Sequence, residues 1–406
     1  MKKIIVYSLF LIAVNMMAQE NNTINTNTVD FELGSGLNFN FEDNQYQFKI
    51  GGFIQPSYLY SKLDGEDGEN EFNSKRSYLN ISGKALKEKV SFFIQNDFSL
   101  RDPLLDAWVA YHPMESLTIT VGQKRTDFNN KEMTFDEDKF QFTERSLLST
   151  TLSNTGREFG LFIDAKYKLG EIGVEPSVAV TSGDGRNSFG DDSRDTDNGG
   201  LRYGGRLNIY PLGFFTEGND TFTADLMHED SFKIAFGAAG SYNDGASNAV
   251  GEGHGDFFIY DENGEDQLPD YRQIYVDMLM KYQGFSFLAE YANATAGELE
   301  QTFINEAGTA ALQPQQISSF LALGDAINLQ AGYATQKGYA VDFRFTNISP
   351  EFDTFQDSVL RDTDAFTLGL SKYIRKNNLK IQTNFSTISI DDQDIFQAEL
   401  ILQVVF

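Results

Sequence analysis

Between residues 124 and 157 the chain gathers six cations, Lys124, Arg125, Lys131, Lys139, Arg145 and Arg157. The same stretch carries six carboxylates, Asp127, Glu132, Asp136, Glu137, Asp138 and Glu144. Repeated guanidinium and ammonium groups can replace the hydration shell of an anion. The equal number of acids leaves two outcomes open. If the carboxylates turn away from the bases, the cations act on a solute; if the two sets pair, the charge cancels. Arg76, Arg202, Arg206 and Arg344 add cations on the polar side of alternating segments, where Asp97, Asp106, Asp164, Asp277, Glu290 and Glu399 also fall.

Other chemistry finds little support. There is no Cys, which removes disulfides, thiol nucleophiles and thiolate metal sites together. The three His residues, His112, His228 and His254, are scattered and form no pair with a nucleophile, and no GxSxG, P-loop or HExxH pattern occurs. Glu252, His254 and Asp256 in GEGHGD could meet a metal, but glycine spacing reads better as a solvated loop tip, so no metal or cofactor is expected. The acidic runs 64–71, 191–197 and 261–266 lack a calcium-loop spacing and read as solvated charge, with divalent bridges to lipopolysaccharide as the alternative. A formal charge of −27 argues against a nucleic-acid partner.

The elements that would position these charges announce themselves at both ends of the chain. Met1-Lys2-Lys3, the apolar run Ile4 to Val14 and Ala18 make a signal peptide over residues 1–18. The last eleven residues, FQAELILQVVF, place Phe396, Ala398, Leu400, Leu402, Val404 and Phe406 on one face, which is the pattern of a lipid-facing β-strand. With a mean hydropathy of −0.35 and no later apolar run of membrane-helix length, only alternating strands could cross a bilayer. Residues 19–45 are Asn/Thr-rich and read as a flexible periplasmic segment; the barrel is expected over 46–406.

Sixteen strand-like windows follow: 46–60, 74–84, 89–99, 104–112, 116–124, 157–168, 172–182, 200–210, 231–243, 271–282, 284–296, 326–336, 338–347, 363–374, 378–390 and 395–406. Short turns alternate with long acidic or Gly-rich loops, the asymmetry of an outer-membrane barrel. The connection 211–230 is too long for a plain turn and keeps counts of fourteen and eighteen open. The expected fold is therefore all-β, a transmembrane antiparallel barrel of sixteen strands. In it Leu201, Tyr203, Leu207 and Ile209 would face lipid while Arg202, Arg206 and Asn208 face inward.

The stretch 72–160 resembles the phosphate-selective porin O and P family. The matching pieces are FNSKRSYLNISG (72–83), LLDAWVAYHP (104–113), SLTITVGQKRTDF (116–128), TERSLL (143–148) and GREFG (156–160). The resemblance implies an outer-membrane porin of a Gram-negative bacterium, a homotrimer whose third loop, over 125–156, folds inward to constrict a water-filled channel. It also implies passive diffusion of small solutes, with anions such as phosphate or polyphosphate preferred, and no enzymatic role. Arg76, Lys124, Arg125, Lys131, Arg145, Arg157, Arg202, Arg206 and Arg344 are the pore-lining candidates. A surface adhesin or structural barrel and an outer-membrane hydrolase are the alternatives. The expected partners are outer-membrane lipid, lipopolysaccharide and the barrel-assembly machinery, which would read the strand ending at Phe406. Phe406→Asp is expected to lower the level of assembled barrel, measured as the heat-modifiable band in outer membranes.

Overall fold

A computed structural model describes residues 27–42, 45–188, 199–253, 255–352, 355–391 and 393–406. The expected signal peptide, the acidic run 191–197 and His254 lie outside the described residues. In chain order the strands are β1 (Thr28–Glu32), β2 (Gly36–Phe41), β3 (Tyr46–Leu63), β4 (Glu69–Ala85), β5 (Val90–Asp97), β6 (Leu104–Met114), β7 (Leu117–Arg125), β8 (Arg157–Ala165), β9 (Tyr167–Leu169) and β10 (Ile172–Thr181). They continue as β11 (Arg202–Tyr210), β12 (Lys233–Asn243), β13 (Asp270–Tyr282), β14 (Phe285–Gly297), β15 (Gly324–Ala334), β16 (Tyr339–Pro350), β17 (Thr363–Tyr373), β18 (Leu379–Ile390) and β19 (Gln393–Val405).

From β3 onward, with β9 continuing β8, sixteen strands form a closed antiparallel barrel. Each pairs with its successor, and β19 returns to β3 through Leu400 opposite Tyr58 and Val404 opposite Ile54. Closure leaves the sixteen-strand wall without a free edge, which is what a strand wall in hydrocarbon requires. The side-chain period of two then sorts the residues. On β13, Ile274 and Val276 are more than half exposed, whereas Gln273, Tyr275, Asp277 and Lys281 are buried inward. The same split puts Tyr203 and Leu207 outside and Arg202 and Arg206 inside on β11, and Phe343 outside against Arg344 inside on β16.

One end of the barrel carries the long connections 126–156, 182–201, 244–269, 298–323 and 351–362; at the other, turns such as 86–89, 170–171 and 283–284 are short. The segment 211–232, at the turn end, is the exception. It folds up into the lumen, where Phe215, Asn219, Thr223, Ala224, Asp225 and Glu229 are buried. This explains why it is too long for a turn without adding a wall strand. The N-terminal reading also needs correction: residues 28–41 are not a flexible segment but the hairpin β1–β2, whose β2 pairs with the first residues of β3.

The lumen is filled unevenly. At the loop end, 244–269 and 298–323 pack over the mouth with the helix α1 (Leu147–Leu152), through Leu148, Leu152, Ile259, Tyr271, Tyr275, Ile317 and Leu321. The inner loop 126–156 crosses below them. Asn130 and the Glu132 amide bond Glu290 on β14, at 2.9 and 2.7 Å, and Lys380 on β18 donates to the carbonyls of Asp138 and Phe140 at 2.8 and 3.2 Å. From beneath, Lys281 donates to the carbonyls of Asn219 and Phe222, both at 2.6 Å, and Thr223 accepts from the Gln141 amide at 3.2 Å. Two wall lysines thus hold two inward-folded segments by their backbones.

Lys281→Met keeps the bulk of the side chain but leaves two buried carbonyls without donors. It is expected to destabilise the barrel by about 1–3 kcal/mol, read as a lower temperature of heat modification in detergent.

Candidate functional site

The inner loop leans on β13 to β18, which leaves open space along β4 to β8. A cavity of 570 Å³ lies there, lined by Lys75, Arg76, Arg145, Arg157 and Arg186 as well as by Asp97, Glu137, Glu144 and Glu252. A second cavity of 250 Å³ lies towards the turn end, lined by Lys49, Gln95, Asp136, Asp138, Lys139 and the terminal Phe406. Consecutive loop residues, Asp136 and Glu137, face the lower and the upper cavity. The level between them is a charged waist.

Glu137 is the hub of that waist. Its Oε1 accepts from Arg145 at 2.8 Å and lies 3.8 Å from Arg157; its Oε2 accepts from Arg125 at 3.0 Å. Arg125 also meets Asp136 at 3.0 Å, and Arg157 meets Asp106 at 2.7 Å and Gln95 at 3.0 Å. Arg145 spans the loop itself, donating to the carbonyls of Glu132 and Phe135 while lying 4.5 Å over the Phe140 ring. Aromatic faces beneath a guanidinium keep it planar and in place. Above the hub, Arg76 reaches Gln55 at 2.9 Å, the Thr143 carbonyl at 3.0 Å and Glu144 at 2.7 Å. Lys75, the extra residue at a bulge in β4, joins Glu144 at 3.0 Å and Glu399 at 2.8 Å.

The nine sequence candidates therefore separate. Arg76, Arg125, Arg145 and Arg157 meet around the waist. Arg344 anchors the loop from the far wall, bonding Glu132 at 2.6 Å and lying over Phe142 at 4.0 Å. Lys124 pairs with Asp127 and Asp164, at 2.7 and 3.0 Å. Arg206 takes Asp277 with two bonds, at 2.6 and 2.7 Å, and donates to the Asn129 carbonyl. Arg202 has no exposed surface; it bonds Glu158 at 2.9 Å and the Gly251 carbonyl at 2.6 Å, so it ties down a loop instead of lining the passage. Lys131 alone of the nine has no carboxylate partner among the described residues. Burial first, and the neighbouring Arg206, push its ammonium pKa below the ordinary lysine value.

Some contributors carry no charge signal. Gly237 sits beside Arg206 and Asp277, where a Cβ would fall 2.1 Å from both partners, and Gly204 clears the Phe128 ring in the same way. Glu137 was one acid among six in the sequence; only the fold sets it among three guanidiniums. Its position next to Asp136 and Asp138 offered no distinguishing spacing.

A closed barrel with an apolar exterior, a polar lumen and a charged waist defines a class: a water-filled channel of the outer membrane. Residues 48–214 match the family model described as phosphate-selective porin O and P. Similar solved structures include the anion-selective porin of Comamonas acidovorans, at 9% identity over 89% of this chain and 100% of that one, with a TM-score of 0.54. The outer-membrane channel DcaP of Acinetobacter baumannii gives 12% identity over 90% and 99%, also with a TM-score of 0.54. OmpT of Vibrio cholerae, in its trimer form, gives 9% over 88% and 99%, with a TM-score of 0.51. A search of curated proteins found no match. Residues 48–214 are thus similar to the phosphate-selective porin O and P family, and the chain is an outer-membrane porin.

The loop carboxylates fix the pH behaviour of the waist. Burial opposes the ionisation of Glu137, but Arg125, Arg145 and Arg157 prevail and hold its carboxyl well below the usual range. Glu144 is likewise disfavoured by burial yet held down to about 2 by Arg76 and Lys75. A depressed carboxylate contributes its pairing energy in full above its unfolded value and loses it as pH falls through its folded value. The part of ion selectivity set by Glu137 and Glu144 should thus persist through the ordinary carboxylate range and turn towards anions only as pH falls to about 2, where Glu144 takes up its proton. Zero-current potentials recorded across a pH series check this.

Proposed function

We propose that the channel is a general one, passing small hydrophilic solutes of either charge and admitting phosphate without strongly selecting it. The observation that carries this reading is the pairing. Eight of the nine candidate cations meet a carboxylate within 3.0 Å. An ion crossing the waist meets dipoles of alternating sign instead of a row of free guanidiniums, and neither sign gains a continuous favourable path. The inner loop and the segment 211–232 narrow the lumen from one side, so the passage is eccentric and size limits entry.

An anion-preferring channel is the second reading. Three guanidiniums converging on the single carboxylate of Glu137 favour it, and so does the name of the family. We also propose a homotrimer, a reading supported by the trimer form of the Vibrio cholerae neighbour.

Refolded protein in a planar bilayer tests the pore directly. Open channels with a near-zero reversal potential in a KCl gradient are expected. No conductance contradicts the channel, whereas a strongly anion-selective potential replaces the general reading with the anion-preferring one. The trimer is checked by the mass of the unheated protein in detergent.

A further inference from the structure

The hairpin β1–β2 lies below the closing strand of the barrel. β19 pairs with β3 only as far as Val405 opposite Phe53, and Phe406 exchanges backbone bonds with Gly52 at 2.8 and 2.9 Å. At the next step β2 takes over the same lane, with Leu37 opposite Ile50 and Phe39 opposite Phe48. β1 then occupies the lane beneath β18, where the Leu33 carbonyl accepts from Asn378 at 2.7 Å.

Register sorts this hairpin as it sorts the wall above. Even-numbered residues of β3 face outward, with Ile54 at 43% exposure, and Lys49 lines the lumen cavity. Continuing that alternation, Val29, Phe31, Leu37, Phe39, Phe41, Tyr46 and Phe48 share the lipid side, and Asp30, Glu32, Asn38 and Asn40 share the other. The rings of Phe39, Phe41 and Phe48 lie together, 5.8 to 6.4 Å apart. Val29 and Phe31 remain 61% and 63% exposed on a strand whose outer edge has no partner strand among the described residues. A polar hairpin needs no such face, and an apolar one in water invites edge pairing.

Position supplies the occupant. The turn ends of the other strands carry half-exposed Tyr111, Tyr167, Tyr282, Tyr333 and Tyr339, the girdle that marks a membrane interface. Phe31, Phe39 and Phe41 extend this ring beneath β18 and β19. We infer that the hairpin β1–β2 is a membrane-interface anchor, its apolar face seated among phospholipid headgroups and upper acyl chains of the periplasmic leaflet.

The chain has no native cysteine, so single labels can be placed at will. The full-length protein is reconstituted in phosphatidylcholine and phosphatidylglycerol vesicles, with an environment-sensitive fluorophore on V29C, F31C, T28C or D30C. Quenching by spin-labelled phospholipid should be several-fold stronger at 29 and 31 than at 28 and 30, and stronger at 31 than at 29, because 31 lies nearer the barrel. Equal quenching at all four sites, or none, overturns the anchor. So does protection of 29 and 31 that persists in detergent and disappears when oligomers are dissociated, since a second copy then covers the face. If labelling disturbs the hairpin, F31W replaces it. Its emission, read against the inward-facing Trp108, must be quenched by brominated phospholipid, and an unquenched F31W also overturns the inference.

Discussion

Every feature of this porin follows from the need to satisfy backbone hydrogen bonds where water is missing. A strand wall in hydrocarbon must close on itself, as β19 does on β3, because an open edge would leave a row of unpaired amides and carbonyls. Closure fixes the alternation, and alternation sends half of the side chains into an enclosed lumen. Those side chains include Arg206, Asp277, Lys281, Glu290, Arg344 and Lys380. Charges in that number need either water or one another.

The protein uses both solutions, on opposite sides of the lumen. Along β11 to β18 the charges are consumed by structure. Arg206 and Asp277 form a two-bond pair, Arg344 clasps Glu132, and the ammonium groups of Lys281 and Lys380 cap backbone carbonyls of segments that fold inward. Along β4 to β8 the charges border cavities, and Glu137 becomes the point where wall arginines meet the loop. The inner loop is thus held mostly by one wall and leaves its acidic edge facing the other. An eccentric channel results from this asymmetric anchoring.

The same logic explains why pairing does not collapse the waist. Arg157 is fixed by Asp106 and Gln95, and Arg145 by loop carbonyls and the Phe140 ring, before either meets Glu137. Each guanidinium has donors enough for a structural partner and for the lumen. The charged groups of the waist are therefore held in place from behind as well as by Glu137.

The sequence alone was enough for the barrel. Period-two alternation over β11, β13 and β16 identified the lipid face residue by residue, since strand geometry makes facing a local property. Long loops and short turns were equally legible, as was the cation-rich stretch 124–157. Local pattern failed where the partner is distant along the chain. It could not show that 211–232 and 126–156 meet inside the lumen, or that the polar-looking residues 28–41 hide an apolar face aligned with the barrel exterior. Nor could it choose Glu137 from six acids or withdraw Arg202 into a buried pair with Glu158. Which charges cancel depends on separations set by closure of the sheet and by loop anchoring across the lumen, and only the tertiary structure decides those distances.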